Sequence, residues 1–178
     1  MEKVTLFNKT FVKYILEKDI EAATARVARQ INEDYRDEVP LVLVTLTGAM
    51  FFAVDLMKHF SFIPQVSCIK LSSYKGTECT NTMTEIMGLR EDVKDRRVLV
   101  VEDIVDTGKT YLYMYKMLMD KGAKDVRIAT MTIKRDAYRE NLPIDYVGLE
   151  VPDKFVIGHG LDIDGFGRNL RDIYQLEE

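Results

Sequence analysis

Apolar positions along the chain follow two periods. From Asp19 the pattern Ile20, Ala23, Val27, Ile31, Tyr35 steps by three or four residues, which lays one stripe along an α-helix, and Asp19 is placed to cap its start. After Pro40 the run "LVLVTL" (41–46) is unbroken and of strand length, as expected of a strand buried on both faces in a parallel sheet. The helical-period segment "AMFFAVDLMKHF" comes next. Further strands are predicted at "VSCIKLSS" (66–73), "RVLVV" (97–101), "VRIATMTI" (126–133), "DYVGLE" (145–150) and "FVIG" (155–158). A helix over 108–121 is stopped by Gly122, the residue favoured just past a helix end. Strands alternating with helices predict an α/β fold, a doubly wound, mainly parallel sheet flanked by helices, in one domain spanning residues 1–178. Ligands of such sheets bind beyond the carboxyl ends of the strands.

One stretch keeps neither period. "SYKGTECTNTMTEIMG" (73–88) is polar and carries Gly76 and Gly88. Two readings stand: a lid or binding loop, since long structureless loops in compact domains are usually functional, or a disordered excursion or hairpin on the sheet edge.

Composition narrows the function classes. A hydrophobic content of 47% with 30% charged residues is that of an ordinary globular chain. The net charge of −4, with Lys and Arg scattered, excludes the electrostatic footprint of a nucleic-acid binder. Cys68 and Cys79 have no zinc-spaced partners and do not make a disulfide framework, which suits a reducing cytoplasm. The start "MEKVTLFNKT" lacks a secretory pattern and no apolar run is long enough for a membrane span, so no membrane partner is expected.

The chemistry concentrates in "VLVVEDIVDTGKT" (98–110). If the strand ends at Val101, Glu102 and Asp103 stand at its C-terminal lip. Asp106, Thr107, Gly108, Lys109 and Thr110 then turn into a helix whose free amides and dipole favour an anion. A P-loop would need glycine five positions before Gly108, where Asp103 stands, and so fails. Carboxylates beside a phosphate site are tolerable if Mg²⁺ or sugar hydroxyls lie between them. The competing reading is a solvated acidic turn after a core strand.

This stretch resembles the phosphoribosyl-pyrophosphate signature of the type I phosphoribosyltransferases, in the form carried by the hypoxanthine-guanine members. Other segments are similar in the same order. "LTGA" resembles the family's pyrophosphate loop (Leu46, Thr47, Gly48), where the resemblance implies a cis peptide between Leu46 and Thr47. "SSY" resembles the start of the mobile lid, with Ser73 and Tyr74. "IKR" supplies Lys134, and "VPDKFVIGHGLD" supplies Phe155, Val156 and Asp162. "GRNL" supplies Arg168.

The resemblance implies the family's fold with a small hood region, and purine salvage: the 5-phosphoribosyl group passes from phosphoribosyl pyrophosphate to N9 of hypoxanthine or guanine, giving IMP or GMP and pyrophosphate. It implies Mg²⁺ as cofactor, held by Glu102, Asp103 and Asp162, and Asp106 as general acid/base. The 5′-phosphate falls to the 106–110 turn, the purine O6 to Lys134, the stacked ring to Phe155, the ring edge to the Val156 carbonyl, and pyrophosphate to Arg168. A homodimer or homotetramer is implied too. Two departures, His159 for a usual aromatic and Ile163 for a frequent tyrosine, bear on the rim of the base pocket. A transferase for xanthine or another base, and a regulator that only senses phosphoribosyl pyrophosphate, are the alternatives.

Overall fold

The computed structural model describes residues 2–75 and 78–177, with only the backbone described over 72–75 and 78–84. Its main sheet has six strands: β3 (Leu41–Thr45), β4 (Gln65–Lys75), β5 (Glu78–Met87), β6 (Arg97–Val105), β7 (Asp125–Ile133) and β8 (Tyr146–Glu150), in the order β5-β4-β3-β6-β7-β8. All pairings are parallel except β4 with β5. The helices are α1 (Glu17–Asp34), α2 (Met50–Met57) and α3 (Lys109–Asp120).

The strand alternation explains why helices cover both faces. Val42, Val44, Leu99 and Val101 pack with Ile20, Val27 and Ile31 of α1 and with Phe52 and Leu56 of α2. The intervening Leu41, Leu43, Val98 and Val100 pack with Tyr111, Met114 and Leu118 of α3. Successive strand side chains point to opposite faces, so a run apolar at every position needs cover on each. The doubly wound, parallel architecture predicted from the sequence is therefore present.

A second, four-stranded antiparallel sheet stands apart, ordered β1-β2-β10-β9 and built from β1 (Lys3–Leu6), β2 (Lys9–Ile15), β9 (Val156–Ile157) and β10 (Ile173–Leu176). Its own small core is Phe11, Ile157, Ile163 and Tyr174. This is the hood. The "FVIG" strand belongs to it and not to the main sheet. The sequence reading did not anticipate β1, β2 or β10. The β1–β2 turn is Phe7 and Asn8, both at positive φ (50° and 62°), the paired left-handed conformation that matches hairpin twist.

Three boundaries depart from expectation for identifiable reasons. Helix α1 begins at Glu17, before Asp19, and its cap residue Leu16 offers no side-chain acceptor. The Glu17 amide instead donates to the carboxylate of Asp172, 2.8 Å away across the fold. Strand β6 continues past Val101 to Val105 because β7 runs alongside it, pairing Glu102 with Thr130, Ile104 with Thr132 and Val105 with Ile133. Finally, the described part of the 73–88 segment lies on the sheet edge, where β4 and β5 pair antiparallel with irregular register; this is the place of the lid that the resemblance implied.

Candidate active site

Because β6 is longer than predicted, Glu102 and Asp103 lie within its last paired residues and not beyond its end. Both still line a pocket of about 270 Å³ at the C-terminal edge of the sheet, together with residues 104–108, Thr110 and Tyr111. Glu102 is only 5% exposed and its Oε1 has no hydrogen-bond partner. Burial, reinforced by the neighbouring Asp103 and partly opposed by the Thr45 hydroxyl, holds its carboxyl well above the usual range. Asp103 is pushed up to about 6, chiefly by burial, while its bond from the Ile104 amide (2.9 Å) and the Arg168 guanidinium pull the other way. Burial thus favours the neutral form of both carboxyls, and a cation or hydroxyl donors beside them would favour the charged form.

Asp103 also explains a glycine. A methyl group placed on Gly48 would fall on the Asp103 carboxylate, and one on Gly160 would fall on the Gly48 carbonyl. Gly160 is at φ 100°. The loop after β9 therefore meets the turn after β3 backbone to backbone, and the Asp103 side chain at the end of β6 packs directly on that turn. The Leu46–Thr47 peptide of that turn is cis, as the resemblance implied, and the Leu46 amide is tied to the Ile69 carbonyl at 2.8 Å.

The loop from Ile157 brings Asp162 and Arg168 to the same place. Arg168 donates to the Gly160 carbonyl (2.6 Å) and pairs with Asp162 (2.6 Å), whose other oxygen accepts from the Gly165 amide. Asp162 is thus already engaged by Arg168. Among the described residues, no group of three acids, histidines or cysteines could hold a metal ion by itself.

Next comes the turn 106–110. Gly108 is at φ 89° immediately before α3 and is roofed by Tyr138, whose ring occupies the space a side chain there would need. Tyr138 is itself fixed by its hydroxyl donating to the Leu142 carbonyl at 2.7 Å. The first amide bonded back along the helix is that of Leu112, to the Gly108 carbonyl at 2.9 Å. The amides of Lys109, Thr110 and Tyr111 have no earlier helical acceptor, which leaves an anion-ready end beside exposed Asp106, Thr107 and Lys109.

On the other flank Lys134, at the end of β7, is bonded to Asp106 at 3.0 Å and Asp153 at 3.2 Å. Burial alone would lower its pKa; the two carboxylates outweigh that and raise it. Phe155 is 45% exposed, tilted against buried Phe11 with ring centroids 6.2 Å apart. An apolar run leaves such a ring out of the core only because β9 is short and its next residues, Val156 and Ile157, take the inward positions.

The predicted site residues Leu46, Thr47, Gly48, Glu102, Asp103, Asp106–Thr110, Lys134, Phe155, Val156, Asp162 and Arg168 therefore sit on the strand ends and loops around one edge of the sheet. The side chains of Ser73 and Tyr74 lie outside the described residues. Two expectations change. His159 turns away from this edge into a separate cavity with Phe51 and Asp55, and Ile163 is in the hood core, so neither shapes the rim. Asp153 and Tyr138 were missed, although a second acid within reach of a strand-end lysine is a readable signal.

Comparison with known proteins agrees with this layout. The model of the phosphoribosyl transferase domain matches residues 12–164. A hypoxanthine-guanine phosphoribosyltransferase of Aquifex aeolicus is 35% identical over 164 residues, covering 91% of this chain and 92% of the relative. A hypoxanthine-guanine-xanthine phosphoribosyltransferase of Tritrichomonas foetus is 36% identical over 165 residues, covering 91% and 89%. Among solved structures, a hypoxanthine phosphoribosyltransferase of Staphylococcus aureus superposes with a TM-score of 0.85 at 32% identity, covering 93% of this chain and 90% of that one.

The raised carboxyl of Asp103 has a signed consequence. It holds its proton more tightly folded than unfolded, so its contribution favours the fold below about pH 4 and is lost as pH rises through about 6. In metal-free urea unfolding, wild type should gain stability relative to Asp103→Asn as pH falls from 7 to 5. A difference that stays flat over that interval would contradict the assignment.

Proposed function

The chain belongs to the phosphoribosyltransferase family, and on that premise we propose that it is a purine salvage enzyme: it transfers the 5-phosphoribosyl group of phosphoribosyl pyrophosphate to N9 of hypoxanthine or guanine, releasing pyrophosphate. The observation that carries this reading is the convergence of an anion-ready helix start, an acid pair with Glu102 buried and Asp103 partly buried, and the lysine and arginine that flank them on one edge of the sheet.

The roles follow from the chemistry of each group. The Asp106–Thr110 turn holds the 5′-phosphate with amides, two hydroxyls and the positive helix end. Arg168 and the Leu46–Gly48 turn face the pyrophosphate, for which a planar guanidinium is a bidentate partner. Glu102 and Asp103 accept hydrogen bonds from the ribose hydroxyls, which offer the donors that the orphaned Glu102 oxygen lacks.

The same pair fits Mg²⁺, an ion usually held by one or two carboxylates and otherwise by substrate oxygens; Asp162, once released by Arg168, is the third candidate ligand. When bound, Mg²⁺ supplies positive charge against the departing pyrophosphate.

On the base side, Phe155 offers its open face for stacking, the Val156 carbonyl accepts from the ring edge, and Lys134 donates to O6. A buried donor discriminates against a base without the matching acceptor. Asp106, within reach of the same lysine, takes or shares the N7 proton as N9 attacks. Ser73 and Tyr74 begin the segment that excludes water from the reacting sugar.

We also place the protein in the cytoplasm, where its phosphorylated substrates would be made, and propose a homodimer or homotetramer. Helix α2 is apolar on nearly every side yet leaves Met50 and Val54 exposed at 42% and 48%, a face that a second copy would cover. No helix among the described residues is long and apolar enough to cross a membrane.

Three measurements test these assignments. Product formation with phosphoribosyl pyrophosphate, Mg²⁺ and each of hypoxanthine, guanine, xanthine and adenine should give nucleotide with the first two. Pyrophosphate release with none of them would refute the function, and preference for xanthine would reassign the substrate. Asp106→Asn should lower kcat by roughly 100-fold or more while leaving the KM for phosphoribosyl pyrophosphate within about twofold; parallel losses in both would remove its catalytic role. On a calibrated sizing column the protein should elute as an oligomer, and elution at 20.5 kDa would leave the α2 face unexplained.

A further inference from the structure

The ends of three neighbouring strands each deliver one charged group to the base side. Asp106 follows β6, Lys134 follows β7 and Asp153 lies in the loop after β8. The lysine stands on the middle strand with an acid from either side, at 3.0 Å and 3.2 Å. Its backbone is held as well, the Lys134 amide donating to the Val105 carbonyl at 3.0 Å. Its side chain is only 12% exposed, whereas those of Asp106 and Asp153 are 48% and 63% exposed. A partly buried ammonium is thus clamped between two wetter carboxylates.

An ammonium has three donors and no acceptor. Two are occupied by the acids, and the direction of the third is set by where those two anchors stand. Asp106 cannot serve as a permanent anchor if it exchanges a proton with the base, because its bond to Lys134 weakens whenever its charge is shared elsewhere. Asp153 has no such second task in the geometry.

We infer that Asp153 is a positioning residue for base recognition: it anchors the Lys134 ammonium from the β8 side so that the free donor is presented to the 6-oxo group while Asp106 is engaged with the base. This inference rests on the proposed function and adds to it a residue that touches neither sugar nor phosphate. It also accounts for an exposed acid two residues before Phe155, in a loop whose only other evident task is to enter β9.

The test compares ligands with and without a base. In calorimetric titration, Asp153→Asn should bind IMP roughly three- to fivefold more weakly than wild type, the scale expected of one partly exposed ion pair. Its affinity for ribose 5-phosphate, which has no base, should be unchanged. Asp153→Glu should restore most of the IMP affinity, and the melting temperatures of all three proteins should agree closely.

Equal or tighter IMP binding by Asp153→Asn overturns the inference alone, since wild-type IMP binding would still uphold the function. Equal weakening of IMP and ribose 5-phosphate also overturns it, by showing a general structural role. Wild-type protein that binds ribose 5-phosphate but not IMP would remove the functional reading and this inference together.

Discussion

The candidate site depends on one close approach: Gly48 against the Asp103 carboxylate on one side and against Gly160 on the other. At Gly160 a methyl group would strike the Gly48 backbone, and at Gly48 it would displace the Asp103 carboxylate. That contact joins three parts of the chain that would otherwise be independent, the turn after β3, the end of β6 and the loop leading out of the hood. The positions of Arg168 and Asp162 follow from it, because Arg168 is held by the Gly160 carbonyl. The Gly48–Gly160 contact is backbone against backbone, whereas Asp103 reaches Gly48 with its carboxylate.

The acid pair is the electrostatic counterpart of that constraint. Glu102 is buried on its strand beside Asp103 and opposite Thr130, and a carboxyl there is unfavourable in its charged form. The fold tolerates it because the rest of β6 is anchored by a long parallel ladder to β7 and by cores on both faces. Stability is supplied by Leu99, Val100 and Val101, and the residues immediately after them carry the local cost that a binding site for positive charge requires.

Much of this was legible in the sequence, and the failures are specific. The apolar runs of β3, β6 and β7 announce strands covered on both faces, and Gly122 marks the end of α3 at φ 84°. The segment 98–110 carries its acid pair and glycine turn in plain order. The length of β6 was not legible, because Glu102 to Val105 remain in the sheet only through pairing with β7. Strands β1, β2 and β10 were missed for a related reason: β2 is mixed in polarity, and its partner β10 lies far from it in sequence. Asp19 was chosen as a cap on local grounds, whereas Asp172, distant in sequence, does that work. Lys134 was identified, but its clamp by Asp106 and Asp153 exists only once three strand ends are side by side.

The hood has a temporal corollary. Its central strand β2 is bordered on one side by β10, which lies far from it in sequence. Contacts of such separation form late, after the local ones. The neighbouring parallel strands of the main sheet can therefore assemble while the β1–β2 hairpin still waits for β10.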